Sequence, residues 1–158
     1  MTISPALYSS RSEEWATPQA FFDALDAEFH FTLDAAASAE NAKCIAYLDK
    51  ERDALTCHWP TYSLDWPTVH SVVFCNPPYG REIGRWFAKA REAQSQGCTV
   101  VMLAHARTDT IWWHTHVQGI ASEVRFVKGR LKFGNGKQSA PFPSAVIIYR
   151  PTGDFHAR

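Results

Sequence analysis

The chain has 158 residues, 46% of them hydrophobic and 13% aromatic, which is enough to bury the core of one domain. Its 16 basic and 16 acidic residues cancel, which argues against a protein that coats nucleic acid by bulk positive charge. There is no apolar run of about 18 residues or more, and the N-terminus lacks the layout of a signal peptide. We therefore expect one soluble, cytoplasmic domain over residues 1–158, with residues 1–12 as a flexible arm.

The first predicted element is a helix over TPQAFFDALDAEF, with Thr17 at the N-cap and Pro18 at the first helical position. Its apolar residues recur at helical spacing: Phe21, Phe22, Leu25 and Phe29. The segment FHFTLDAAAS then predicts a short strand that ends near Asp34. From residue 39 to residue 67 the pattern is weak, with a small strand indicated at CIAYLD and a loop around CHWPTYSLDWP.

Three later segments, SVVF, TVVMLA and SAVIIY, are apolar and rich in β-branched residues, which is typical of strands buried on both faces. A helix is predicted over EIGRWFAKAREAQSQG, between the first two segments, and should stop at Gly97. Strand, helix and strand in this order predict a parallel βαβ unit. A helix around TIWWHTHVQGI and a strand near SEVRFV complete an α/β three-layer sandwich with a mostly parallel sheet.

The turn NPPY, residues 76–79, directly follows the strand SVVFC. Ligands of open parallel sheets bind beyond the carboxyl ends of the strands, so this turn is expected on the ligand edge. Pro77 and Pro78 have fixed φ angles, and Pro77 restricts Asn76 to an extended conformation. The Asn76 amide oxygen and the Pro77 carbonyl then offer two preorganised acceptors, and Tyr79 offers a flat face for stacking.

Two acceptors beside an aromatic face suit a planar group that bears an NH₂, such as the exocyclic amine of adenine. That amine is a poor nucleophile, and hydrogen bonds to both of its hydrogens push it toward a nucleophilic geometry. Such a site needs no strong base but a potent electrophile, and S-adenosylmethionine carries a methyl group activated by its sulfonium. The alternative interpretation of NPPY is an ordinary Pro-Pro turn.

NPPY after an apolar strand resembles the catalytic motif of S-adenosylmethionine-dependent amino-methyltransferases. The whole layout is similar to that of the phage-associated DNA N6-adenine methyltransferases. The likeness runs from EWATPQAFFDAL through LDAAASAENAKC and CNPPYG to GRLKF and APFPSAVIIY. It implies a Rossmann-like methyltransferase fold in a minimal form, S-adenosylmethionine as cofactor, and Asn76, Pro77, Pro78 and Tyr79 as the catalytic residues.

The same resemblance implies a role for the Thr-Pro segment, since related adenine methyltransferases use one to hold the methionine part of the cofactor. Trp15, Thr17 and Pro18 match it here. A capped helix start would also explain Thr17 and Pro18 without any ligand.

Asp34 matches the acidic residue that ends the first strand of these enzymes, although alanines and Ser38 stand where a glycine-rich turn is usual. We expect Asp34 and Ser38 near the cofactor's amino-acid end, the alternative being that Asp34 only caps the next turn. Asp53, in DAL, resembles the residue that contacts the cofactor's adenine. Asp49 is the weaker candidate for a cofactor contact, because a surface charge would explain it equally well.

Arg107 and Thr108 follow the strand TVVML and are candidates for phosphate contacts on the ligand edge. The basic segment EVRFVKGRLKFGNGK is interleaved with phenylalanines, as in nucleic-acid-binding surfaces, and Arg130 and Lys132 are its leading candidates. Its other cations are Arg125, Lys128 and Lys137. A solvated hairpin rim is the alternative interpretation of this segment. Trp112 and Trp113 could stack on a ligand, but tryptophan pairs more often fill the core of a protein.

The cysteines and histidines do not indicate a metal or redox site. Cys44, Cys57, Cys75 and Cys98 are widely separated and form no CxxC pair. They are expected to be reduced and partly buried. His105, His114 and His116 share no recognised ligand spacing with a cysteine or a carboxylate, so no metal is expected.

The leading prediction is a DNA N6-adenine methyltransferase that acts on a flipped base in double-stranded DNA. The alternatives are methylation of adenine in RNA, methylation of a protein glutamine, and a catalytically silent nucleic-acid-binding module on the same scaffold. We expect the protein to work in the cytoplasm of a bacterial host and to be encoded by a phage or prophage.

Overall fold

The computed structural model describes residues 15–134, 136 and 138–153. The expected arm at residues 1–12 and Lys137 of the basic segment lie outside the described residues. The helices and strands found in the described residues are α1 Gln19–Phe29, β1 Leu33–Asp34, α2 Trp59–Tyr62, β2 Val72–Cys75, α3 Ile83–Ser95, β3 Thr99–His105, α4 Ile111–His116, β4 Glu123–Phe126 and β5 Ser144–Tyr149. No helix in this part of the chain is long and apolar enough to cross a membrane.

The five strands form one mixed sheet in the order β1-β2-β3-β5-β4. The pairs β1·β2 and β2·β3 are parallel, whereas β3·β5 and β4·β5 are antiparallel. The expectation of a mostly parallel sheet is therefore correct only for the β1-β2-β3 half. The reversed strand β5 lies between β3 and β4, so β4 again has the direction of β3. The carboxyl ends of β1, β2, β3 and β4 consequently lie along one edge of the sheet.

The predicted βαβ unit is confirmed by β2, α3 and β3. Helix α3 ends at Ser95, and Gly97 follows with φ of 95°, a backbone conformation that glycine adopts without strain. Its apolar stripe of Ile83, Phe87 and Ala90 is buried against the sheet.

Both faces of the sheet are covered at β2, β3 and β5, which explains why these three strands are largely apolar, whereas the edge strand β4 carries Glu123 and Arg125. Along β3, Val100 and Met102 pack in the cluster that includes α3 and α4, whereas Val101 and Leu103 pack in the cluster that includes α1. Side chains of a strand alternate between its two faces, so each face buries its own core. All six residues of β5 are buried in the same way.

The first helix starts one residue later than its sequence suggests. Pro18, not Thr17, occupies the N-cap, and no side chain caps the helix. The Thr17 hydroxyl instead accepts a hydrogen bond from the side chain of Asn76 at 3.0 Å. The prediction of Thr17 as a helix cap is therefore wrong, because a partner distant in sequence uses its oxygen.

The weakly patterned region, residues 39–67, has little regular structure. The strand expected at CIAYLD is reduced to a single parallel bridge between Tyr47 and Asp34, at the outer edge of the sheet. The stretch expected to be a loop contains the one-turn helix α2. This helix buries Trp59 completely, and the Trp59 indole donates to the Ala54 carbonyl at 2.8 Å.

Candidate functional site

A cleft of about 520 Å³ opens at the edge of the sheet where β1 and β2 end. Its walls are residues 15–17 ahead of α1, the turn after β1, residues between 48 and 54, residues 76–78 after β2, and Trp86 of α3. The volume lies within the usual range for a small-molecule site. The cleft thus brings together Trp15, Thr17, Asp34, Ser38, Asp53, Asn76, Pro77 and Pro78, all of which the sequence singles out.

Asn76 is held by two hydrogen bonds that leave its acceptor unused. Its Nδ2 donates to the Trp15 carbonyl and, at 3.0 Å, to the Thr17 hydroxyl. Because a carbonyl can only accept, the amide nitrogen must face Trp15, and this fixes which way the amide points. The Asn76 Oδ1 is buried and has no hydrogen-bond partner within the described residues. Leaving a buried acceptor unpaired is costly, so this atom is poised to accept from a ligand.

Asp34 lies at the floor of the cleft, where β1 ends, and is only 2% exposed. Its carboxylate accepts the backbone N–H of Lys43 at 3.0 Å and that of Ala36 at 3.3 Å. Burial raises the pKa of Asp34 to about 6, although these two hydrogen bonds and the charge of Lys43 oppose the shift. A carboxylate with this degree of desolvation favours a positively charged partner.

Asp49 and Asp53 both line the cleft but occupy different settings. Asp49 follows the backbone that extends the sheet beyond β1, where the Leu48 N–H donates to the Asp34 carbonyl at 2.9 Å. Asp49 therefore directly follows a strand-like segment, as Asn76 follows β2, and Asp34 is the last residue of β1. Asp53 is exposed, adopts a φ of 47°, and accepts from the Leu55 N–H at 3.3 Å. Ser38 closes a local turn, with its N–H donating to Asn41 Oδ1 at 2.7 Å.

Tyr79 is part of the NPPY turn but does not line the cleft. Its side chain is 8% exposed, and its hydroxyl donates to the Leu103 carbonyl of β3 at 3.1 Å. The His105 ring stacks on it with centroids 4.7 Å apart and 22° between the planes. Phe142 and Phe133 approach it edge-on. Tyr79 therefore holds the turn against β3, and the His105 ring covers one face of its ring.

His105 ends β3 beside this turn and stacks between Tyr79 and Trp112. Burial lowers the pKa of His105 to about 4, so the imidazole is neutral at physiological pH. Its Nδ1 is buried without a hydrogen-bond partner in the described part of the chain. Trp113 is 2% exposed and packs in the core, as the more common behaviour of tryptophan predicts.

The candidate phosphate contacts are exposed on the same edge of the sheet. Arg107 and Thr108 follow β3, and Arg130 and Lys132 follow β4, which runs in the same direction. Arg125 differs from these four residues, because its guanidinium forms a bidentate pair with Glu28 at 2.7 and 2.7 Å and a further bond to Glu123 at 2.6 Å. Its expected place among the phosphate-contacting cations is not supported by this arrangement.

The sequence assigned no role in the site to several cleft residues, among them Trp86 and Lys43. Trp86 lies on α3 directly before the buried Phe87, and its position in the sequence indicates only a helix residue. Lys43 lies in the segment SAENAKC, nine residues after Asp34, with no pattern of its own. Across residues 15–134, 136 and 138–153 no group of three or more His, Cys, Asp or Glu side chains could hold a metal ion. The four cysteines are free.

The fold and the site define an α/β protein with a ligand cleft at the carboxyl edge of its sheet and a preoriented asparagine acceptor on an NPPY turn. Its family is shown by the sequence model for DNA N-6-adenine-methyltransferase (Dam), which matches residues 5–152, and the chain belongs to this family. The predicted family relationship is thereby confirmed.

Two similar proteins support the relationship. The DNA N-6-adenine-methyltransferase of Escherichia phage T1 is 29% identical over 118 residues, which cover 74% of this chain and 45% of the phage protein. The protein YfdM of Escherichia coli (strain K12) is 34% identical over 68 residues, which cover 42% of this chain and 71% of YfdM. The chain thus spans less than half the length of the phage T1 relative.

Proposed function

We propose that this protein is an adenine-specific DNA methyltransferase, which transfers a methyl group from S-adenosylmethionine to the exocyclic amine of a flipped adenine. The observation that carries the proposal is the buried, unpartnered Oδ1 of Asn76 at the cleft. An acceptor in this position suits an amine hydrogen and does not suit a substrate that offers only acceptors.

The cleft also fits the cofactor. The desolvated carboxylate of Asp34 suits an α-ammonium group, and the carboxylate of Asp49 at the next strand end suits ribose hydroxyls. Asp53 and Trp86 would then flank the cofactor's adenine, and Trp15, Thr17 and Ser38 its amino-acid end. Pro18, which the sequence also suggests as a cofactor contact, is the N-cap of α1 and does not line the cleft. When bound, S-adenosylmethionine supplies a methyl group already activated by a sulfonium, so the protein needs no strong base.

The work of Asn76 is to orient and polarise the target amine. Its two anchoring bonds hold Oδ1 in one direction, so little reorganisation is needed when an amine hydrogen arrives. The hydrogen bond strengthens as the amine hydrogens become more acidic during methyl transfer, which lowers the barrier selectively. The Pro77 carbonyl remains our proposed second acceptor, and Pro78 completes the rigid turn.

Tyr79 contributes to this turn mainly by holding it against β3 through the Leu103 carbonyl. The stacking of a target base on Tyr79, which the sequence suggests, would require the His105 ring to leave its face. Arg107, Thr108, Arg130 and Lys132 are our proposed contacts to the DNA backbone.

We further propose that the chain is a minimal Rossmann-like methyltransferase domain. The parallel strands β1, β2 and β3, with β4 in the same direction and β5 reversed between β3 and β4, support this assignment. A DNA substrate and a phage T1 relative favour a location in the bacterial cytoplasm and a phage or prophage origin.

The test is methyl transfer by Asn76→Ala and the wild type, with labelled S-adenosylmethionine and duplex DNA, RNA or a glutamine-containing peptide as acceptors. We expect wild-type activity on DNA with N6-methyladenine as the product by nucleoside mass spectrometry. In Asn76→Ala the rate should fall by about 10²–10³ while affinity for S-adenosylhomocysteine is kept. Product on RNA or peptide alone would replace the DNA assignment, and full activity of Asn76→Ala would overturn the role of the turn.

A further inference from the structure

Lys43 brings a positive charge to the wall of the cleft beside the buried Asp34. Its backbone N–H donates to Asp34 Oδ2 at 3.0 Å, so the two residues are held together by the main chain. Its side-chain ammonium donates to Gln19 Oε1 at 2.9 Å. The Gln19 amide is oriented by its own bond to Asp23 Oδ1 at 2.8 Å, and it therefore presents its oxygen to Lys43.

Within the described residues, neither the Asp34 carboxylate nor the Lys43 ammonium forms a hydrogen bond with a side chain of opposite charge. Asp34 accepts from two backbone N–H groups, and the partner of the Lys43 ammonium is a neutral amide. Asp34 and Lys43 both line the cleft, and the charge of the Lys43 ammonium acts on the Asp34 carboxylate through space. A ligand group that carries both signs on one carbon complements such a pair, because each of its charges meets an opposite charge.

We propose that Lys43 binds the α-carboxylate of the cofactor's amino-acid end, while Asp34 binds the α-ammonium on the same carbon. This assignment rests on the proposed function. It also puts the amino-acid end in the same cleft as the reacting group, since Lys43, Thr17 and Asn76 all line that cleft. Lys43 thereby selects an intact amino-acid end over ligands that lack the carboxylate.

The competing explanation of Lys43 is a tether between the turn after β1 and the start of α1. In that case its bond to Gln19 would matter and its charge would not. Gln19→Ala removes the tether and keeps the positive charge on Lys43, so this variant separates the two explanations. Lys43→Met removes the charge and keeps most of the apolar stem.

The experiment is calorimetric titration of the wild type, Lys43→Met and Gln19→Ala with three ligands. S-adenosylmethionine carries both charges, decarboxylated S-adenosylmethionine lacks only the carboxylate, and 5′-methylthioadenosine lacks the whole amino-acid end. We expect the wild type to prefer S-adenosylmethionine to its decarboxylated form by roughly 10- to 100-fold, as for a charge-assisted hydrogen bond. Lys43→Met should lose this preference and keep its affinity for the neutral 5′-methylthioadenosine, and Gln19→Ala should keep the preference.

An unchanged preference in Lys43→Met would overturn the assignment of Lys43 and leave the proposed function standing. Equal losses in Gln19→Ala and Lys43→Met would overturn it as well, in favour of the tether. A wild type that binds none of the three ligands would instead overturn the proposed function itself. Because the readout is binding, the result does not depend on the DNA sequence that the protein recognises.

Discussion

The hydroxyl of Thr17 does not cap α1 but accepts a hydrogen bond from Asn76 Nδ2 at 3.0 Å. Thr17→Ala removes one of the two bonds that orient the Asn76 amide. We expect the rate of methyl transfer to fall about 10-fold, the usual effect of one lost hydrogen bond, with steady-state kinetics as the measurement. Thr17→Ser, which keeps the hydroxyl, should be close to the wild type. A normal rate in Thr17→Ala would mean that the Trp15 carbonyl alone orients Asn76.

The raised pKa of Asp34 should make the stability of the ligand-free protein depend on pH. Its pKa rises from 3.8 in the unfolded chain to about 6 in the fold, so the folded state binds more protons between these values. The charged carboxylate therefore destabilises the fold, and the free energy of unfolding should decrease as pH rises from about 4 to about 6. The cost is on the order of 3 kcal/mol, because each pKa unit corresponds to about 1.4 kcal/mol.

Urea titrations of the wild type and Asp34→Asn across this pH range measure the effect. The difference in free energy of unfolding between the two proteins should change between pH 4 and pH 6 and be constant above about pH 7. A difference that is independent of pH would contradict the raised pKa. Asp34→Asn should in addition bind S-adenosylmethionine more weakly than the wild type above about pH 6, where only the wild-type side chain is charged, and this difference should shrink at lower pH.

At the scale of the elements, strand β4 carries an arginine held by ion pairs, and the segment after it carries an exposed arginine that we propose contacts DNA. Arg125 of β4 is held by Glu28 and Glu123, whereas Arg130 is exposed beyond the strand end. We expect Arg130→Ala to lower DNA affinity and to reduce the slope of log K against log salt by about 1, since one phosphate contact is lost. Binding isotherms at several salt concentrations measure this slope.

Arg125→Ala is the matched control for this prediction. It removes the same charge from the chain but should leave the salt slope unchanged and lower the melting temperature by a few degrees, because it breaks the tie between α1 and β4. Equal salt slopes for Arg130→Ala and the wild type would mean that the segment after β4 is a solvated hairpin rim that does not contact DNA. A reduced slope in Arg125→Ala would mean that its ion pairs open on DNA.

The elements predicted correctly are those whose local pattern matches their final environment. The apolar runs of β2, β3 and β5 and the stripe of α3 are buried as expected, because burial on both faces leaves a continuous signal. The direction of β5 could not be predicted, since an apolar run reads the same for either direction. The helix α2 was not predicted, because its four residues are too few to show a helical repeat of apolar positions.

In the site, too, some features follow from local sequence patterns and others depend on contacts between distant residues. The acceptor on Asn76 and the strand-end carboxylate of Asp34 follow from their positions after apolar strands, and the structure places both at one cleft. The partners of Thr17 and Tyr79 depend on contacts over 59 and 24 residues of sequence, which no local pattern encodes. Lys43 likewise becomes a cleft residue only when the turn after β1 folds back to α1.

At the scale of the whole molecule, the cleft is built from turns that follow adjacent strand ends, so a ligand should order these turns together. Hydrogen exchange with and without S-adenosylhomocysteine measures this at the level of segments. We expect protection of amides in residues 35–43 and 48–54, and little change in residues 63–70, which precede β2 at the opposite edge of the sheet. Asn76→Ala should give the same pattern, because Asn76 is assigned to the substrate amine and not to the cofactor. Protection confined to residues 63–70 would place the cofactor elsewhere, and protection lost in Asn76→Ala would assign Asn76 to cofactor binding.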